Sequence, residues 1–178
     1  MVPQESREVN IMTPEMSGRK IAYLHASRFG NGEKVAAEFS RCMKEKGVEV
    51  DVHHIRNVRT REMPAADLYL FSAPGRMGKP KRNMRHFLKK MRLPAGTRCA
   101  ILTTEGAPRP DPKTGKMPDP AKTEKWQRVL PIMHELLSAR GLEIVAEGKV
   151  LVTGIKGPLE EGWQEKVAAF ADQFAALM

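Results

Sequence analysis

Residues 20–34, KIAYLHASRFGNGEK, constrain the fold more than any other part of the chain. Ile21, Ala22, Tyr23 and Leu24 form an apolar run long enough for one buried strand. Residues 25–32 then turn small, polar and glycine-containing. From Glu33 an amphipathic period begins, with Val35, Phe39 and Cys42 on one side and Ala36 and Met43 flanking. The order is strand, tight loop, helix. Such a unit gathers loop amides and a helix N-terminus at one point, where amide hydrogens and the helix dipole both favour an anion. Gly30 and Gly32 let a ligand come close to the main chain. Ser27 and Asn31 can donate hydrogen bonds to phosphate oxygens, and Arg28 or Lys34 can add charge. The alternative is an ordinary βα turn with no ligand. Neither G-x-G-x-x-G nor G-x-x-x-x-G-K-[ST] is present, since Val35 follows Lys34.

The rest of the chain alternates in the same manner. The first helix is expected over 32–46, stopped by Gly47. Val48, Val50 and Val52 alternate with Glu49, Asp51 and His53, as in a half-exposed strand near a sheet edge. His53 and His54 then point to opposite faces and make no ligand pair. Residues 57–66 read as a linker or short irregular helix. Leu68, Tyr69, Leu70 and Phe71 suit a strand covered on both faces. Residues 72–80 read as a loop from their Pro and Gly content. A helix follows with Met84, Phe87, Leu88 and Met91 at helical spacing and Pro80 in its first turn. Residues 99–102 are a further buried strand, followed by the turn Thr103-Thr104-Glu105-Gly106-Ala107 and a Pro- and Lys-rich stretch to Pro120, long enough to be a lid or mobile insertion. A helix over 123–140 is expected to turn Trp126, Val129, Leu130, Met133, Leu136 and Leu137 inward, with Pro131 kinking or splitting it. Residues 143–152 carry one or two short strands interrupted at Glu147-Gly148. A last helix from about Leu159 buries Trp163, Val167, Phe170 and Phe174.

This β-α alternation predicts a three-layer α/β sandwich, a five-stranded parallel sheet with helices on both faces. Ligands of such sheets sit beyond the carboxyl ends of the strands, where strand order reverses. Three loops meet there: 27–32, 73–79 and 104–107.

A length of 178 residues fits one domain, taken as 19–178 behind a flexible extension over 1–18. No apolar run reaches membrane-span length and the first residues hold no apolar leader, so a cytoplasmic, membrane-free protein is the expectation. The two cysteines, Cys42 and Cys99, fall on apolar surfaces and read as small core residues. The net charge of +9 points to an anionic partner, and residues 76–92 hold eight basic side chains and no acidic one. Such a run is commonly only a solvated helix face, and nucleic acid is the lesser expectation.

Together these residues resemble the flavodoxin-like family of FMN proteins over 20–178. Ser27-Arg28-Phe29-Gly30-Asn31-Gly32 is similar to the family's phosphate loop S/T-x-T-G-N-T, with Phe29 and Gly32 in place of hydroxyl residues. Residues 66–74, ADLYLFSAP, and 78–88, GKPKRNMRHFL, match the family's second loop and the helix behind it. Thr103-Thr104-Glu105-Gly106 stands where the family flanks the flavin ring. The resemblance implies strand order 2-1-3-4-5, the order in which flavodoxin itself carries FMN at the switch point. It also implies FMN as cofactor. Ser27, Gly30 and Asn31 would hold its phosphate, with Arg28 near it and Phe29 and Gly32 completing the loop. Ala73, Pro74, Gly75, Arg76, Met77 and Gly78, with Thr104, Glu105, Gly106 and Ala107, would border the ring. The second and third loops hold no aromatic residue, leaving Met77 or Phe29 as ring cover.

The implied function is electron transfer through a non-covalent flavin, with an acidic redox protein as partner. One alternative is an FMN-dependent NAD(P)H:quinone oxidoreductase, with residues 105–120 as part of its cavity. Another is a flavin-free interaction module using the basic helix. His25 and Glu105 stand as isolated ionisable groups, and no catalytic or metal-binding residue is assigned. A homodimer is compatible with these readings.

Overall fold

The apolar run at 21–24 becomes the middle of β1 (Lys20–His25), with Ile21 to His25 all buried. The computed structural model describes residues 19–178. The extension expected over 1–18 lies outside the described residues. After β1 come α1 (Asn31–Glu45), β2 (Glu49–His54) and β3 (Leu68–Ser72). A small hairpin, β4 (Gly75–Arg76) and β5 (Lys79–Pro80), leads into α2 (Arg82–Lys90). Then come β6 (Arg98–Gly106), α3 (Pro120–Trp126), α4 (Val129–Ala139), β7 (Glu143–Val152) and α5 (Trp163–Ala176). The main sheet has the order β2-β1-β3-β6-β7, every pairing parallel, which is 2-1-3-4-5 among its five strands.

Alternation along the strands divides the core into two layers. Ile21, Tyr23, Leu68 and Leu70 face α1 and α5, where Phe39 meets Phe174 edge-on at 5.5 Å. Ala22, Leu24, Tyr69, Phe71 and Ile101 face α2 and α4, against Met84, Phe87, Leu88, Met133 and Leu137. β2 is an edge strand, and Val52 on it stays 41% exposed. Cys42 and Cys99 are buried free thiols.

Five elements differ from the sequence expectation. The loop over 73–80 contains the hairpin β4–β5, whose turn Met77-Gly78 has positive φ at both positions, 52° and 75°. Two positive angles are the geometry of a type I′ turn. β6 runs on to Gly106, so Thr103, Thr104 and Glu105 lie in a buried strand and not in a turn. The expected 123–140 helix breaks at residues 127–128, not at Pro131. The break spends its polar groups elsewhere: the Arg128 amide donates to the Gly78 carbonyl (3.0 Å), and Gln127 Nε2 donates to the Gly106 carbonyl (2.8 Å). Pro131 then falls third in α4, where a missing N–H costs nothing. Trp126, expected inward, is 65% exposed. β7 is continuous through Glu147-Gly148, with one bulge opposite Cys99/Ala100. α5 starts at Trp163, and Leu159 bridges back to Val152.

Candidate functional site

The carboxyl ends of β1, β3, β6 and β7 open onto one cavity of about 430 Å³. Its walls are stitched together by main chain. The Ala26 amide donates to the Ser72 carbonyl, Thr104 to Ala73, Lys81 to Pro74 and Ala107 to Val152, at 2.8–3.2 Å. Of the residues the sequence put forward, the first loop contributes Ser27, Arg28, Phe29, Asn31 and Gly32 to the lining. The second contributes Pro74, Gly75, Arg76 and Met77, and the third Thr104 and Gly106.

The other five lie beside the lining and serve the scaffold. Gly30 is the left-handed residue that opens α1 (φ 85°). Ala73 is buried. Gly78 packs under α3, where a Cβ would run into the Trp126 carbonyl. Ala107 ties the third loop to β7. Glu105 is 1% exposed and turns its carboxylate toward α4. It accepts from the Val129 amide (3.1 Å) and from Thr103 Oγ1 (3.1 Å). It thus supplies the N-terminal cap that Arg128, a donor-only side chain, cannot.

Lys81, Arg109, Val152, Gly154 and Ile155 complete the lining and were not singled out. The last three belong to β7 and its following loop, a fourth wall. Ile155, 74% exposed between Gly154 and Gly157, was the available signal: an apolar residue set in a glycine-rich loop at the same sheet edge. Asn31 holds that wall, its Nδ2 donating to the Lys156 carbonyl (3.2 Å).

At the head of α1, the amides of Arg28, Phe29, Gly30, Asn31 and Gly32 find no acceptor among the described residues. A Cβ on Gly32 would stand 3.0 Å from Ser27 Cβ, so only glycine lets the Ser27 side chain approach the helix start. Four cations, Arg28, Arg76, Lys81 and Arg109, line the cavity, and no carboxylate among the described residues does. Donor-rich backbone with surplus positive charge is the chemistry of a phosphate site. The apolar lining comes from Phe29, Pro74, Met77, Val152 and Ile155. Phe29 is 44% exposed, with the Arg28 guanidinium 5.0 Å and the Lys156 ammonium 5.8 Å from its ring centre.

Behind the first loop, His25 packs edge-on to His54 at 5.0 Å and its Nδ1 has no partner among the described residues. Burial pushes its pKa below the ordinary 6.5, Glu33 opposes that shift, and His54 and Arg56 add to it. Burial would raise the Glu33 carboxyl, but the Ser27 hydroxyl, its own amide and the two histidines outweigh this and hold it below 4.5.

No family model matches the sequence, and no curated protein matches it. Solved structures do. Flavodoxin 2 from Bacillus cereus superposes with a TM-score of 0.67 at 24% identity, over 89% of this chain and 99% of its own. A flavodoxin from Streptococcus pneumonia TIGR4 gives 0.63 at 17%, over 89% and 99%. Rubredoxin oxygen:oxidoreductase from Desulfovibrio gigas gives 0.64 at 13%, and this chain, 90% covered, spans 36% of that longer one. The fold is flavodoxin-like. In a flavodoxin-like sheet the cavity lies at the switch in strand order, between β1 and β3, with the phosphate-type donors at the head of α1.

Proposed function

We propose that the chain binds FMN in this cavity and passes electrons through it. The observation that carries the reading is the set of five amides at the head of α1 that find no acceptor among the described residues, at the edge of a cavity those residues line with four cations and no carboxylate. The loop amides would hold the phosphate, and Arg28 would neutralise it. Phe29, Met77 and Ile155 supply apolar cover for the ring, and the walls at Pro74–Gly75 and Thr104–Gly106 set what its edge can hydrogen-bond. FMN, when bound, supplies the electron-accepting ring; the protein supplies binding, orientation and field. A cavity of this volume lies within the range of cofactor sites. The flavodoxin-like neighbours support the reading at the level of fold.

The test is reconstitution. Protein mixed with FMN and desalted is expected to keep the flavin absorbance in a one-to-one ratio. Protein that emerges colourless, and quenches no flavin fluorescence on titration, overturns the reading.

A second reading, an FMN-dependent NAD(P)H:quinone reductase, is favoured by one feature: Arg109 brings the long third loop into the cavity wall. Steady NAD(P)H oxidation in the presence of a quinone selects the reductase. Absence of turnover, with rapid reduction by a protein donor, selects the carrier.

A further inference from the structure

Charge in this molecule is segregated. Residues 68–128 hold fifteen lysines and arginines against four carboxylates, whereas residues 129–178 hold four against seven. The fold turns that asymmetry into a face. The hairpin β4–β5 and the start of α2 form an open groove beside the cavity, lined by Arg76, Lys79, Lys81, Arg82 and Arg85, and the two recesses share Arg76, Met77 and Lys81. None of these five cations makes an ion pair among the described residues. Beside the same hairpin stand two exposed apolar side chains, Met77 (80%) and Trp126 (65%), which line one recess between β4–β5 and α3. Met77 takes φ 52° to stand at the tip, a conformation that favours Asn or Gly. Uncovered apolar residues set among unpaired cations mark an interaction surface.

We propose that this face, the hairpin β4–β5 with the start of α2 and Trp126, docks an acidic electron-transfer protein against the mouth of the cavity. The basic side chains steer the partner and fix its orientation, and Met77 and Trp126 form the dry centre of the contact. The positive charge continues beyond the groove to Lys89 and Lys90 in the last turn of α2 and to Arg92 after it, so a macromolecular anion fits better than a small one. The electron-transfer part rests on the flavin reading above. Each encounter moves one electron from the reduced partner to the flavin, and two encounters with two protons from solvent complete its reduction. The docking part needs no flavin.

The experiment uses an acidic [2Fe–2S] ferredoxin as probe. Association of the flavin-free chain with oxidised ferredoxin is measured by titration calorimetry and stopped flow across a salt series. A complex is expected at low ionic strength, weakening as salt rises. Lys79→Glu and Arg82→Glu, each exposed and outside the cavity lining, are expected to slow association about fivefold apiece. Lys44→Glu, on the far part of α1, carries the same change in net charge and is expected to alter the rate less than about twofold. Trp126→Ala is expected to speed dissociation with the on-rate kept. FMN titrations on the same variants are expected to match the unaltered chain. If that chain takes up no FMN, the function proposed above fails while the ferredoxin titration still decides the docking surface.

Four results overturn the proposal. One is the absence of a complex at low salt. The second is equal slowing by Lys44→Glu, which makes the effect one of total charge. The third is tighter binding of a DNA duplex that weakens with the same two reversals. The last is a raised KM for NADPH in those reversals with ferredoxin association unchanged.

Discussion

Glu105 shows how little a residue type says before its strand is placed. As one of a Thr-Thr-Glu-Gly turn it reads as a polar group beside a ligand. With β6 extended to Gly106 it becomes a buried carboxylate facing the start of α4. Its negative charge sits where the helix dipole is positive, and two donors satisfy it. Glu105→Gln keeps the shape but loses the charge, and is expected to cost about 1–3 kcal/mol in urea unfolding, while FMN affinity stays unchanged. His25 carries a second prediction. Its folded pKa is depressed by burial, so the unfolded chain binds the proton first as pH falls through 6.5. The His25 contribution to stability is therefore flat above 6.5 and declines below it, down to the depressed folded value. The Glu33 carboxyl, also depressed, begins to act only near 4.5, below the onset of the His25 limb. Urea midpoints followed from about pH 8 to about pH 5 should fall on the acid side, and His25→Gln should flatten that decline.

At the scale of elements, what was legible was whatever local pattern determines. Strands β1 and β3 are continuous apolar runs, α1 and α5 have clean stripes, and their order predicts the parallel sheet. The first-loop residues of the cavity were legible too, because a strand, a glycine-bearing loop and a helix start declare themselves within fifteen residues. What was not legible depends on contacts distant in sequence. The α3–α4 break follows from Arg128 and Gln127 bonding to Gly78 and Gly106, not from Pro131. The fourth wall of the cavity follows from Asn31 reaching Lys156 across the fold. Gly148 is the sharpest case. It reads as a strand breaker, yet it sits within β7 because α5 packs there: a Cβ would lie 2.9 Å from Phe170 Cδ2 and 3.3 Å from Leu102 Cδ1. Gly148→Ala is therefore expected to destabilise the chain by about 1–3 kcal/mol through overpacking, although alanine is the better residue for a regular strand. A stabilised variant in chemical denaturation would refute that packing account.

For the molecule as a whole, the cavity is where four segments far apart in sequence converge: 27–32, 74–81, 104–109 and 152–155. Their mutual support is a few main-chain bonds and the Asn31–Lys156 contact, and Met77 and Ile155 stand exposed. A ligand that binds only the folded chain stabilises it by mass action, about 2.7 kcal/mol at a free concentration a hundred times Kd. For a chain of this size each kcal/mol raises Tm by roughly 2–4 °C, so FMN should raise it by several degrees. Phe29 separates this effect from general stability. It is half exposed and packs on cations rather than in the core, so removing it leaves the flavin-free fold almost untouched. Phe29→Ala should leave Tm without FMN within about 1 °C, while the increment added by FMN shrinks. Stacking worth about 0.5–1.5 kcal/mol corresponds to a several-fold rise in Kd. Equal FMN-dependent increments in the two proteins would place the ring away from Phe29 and leave Met77 and Ile155 as its cover.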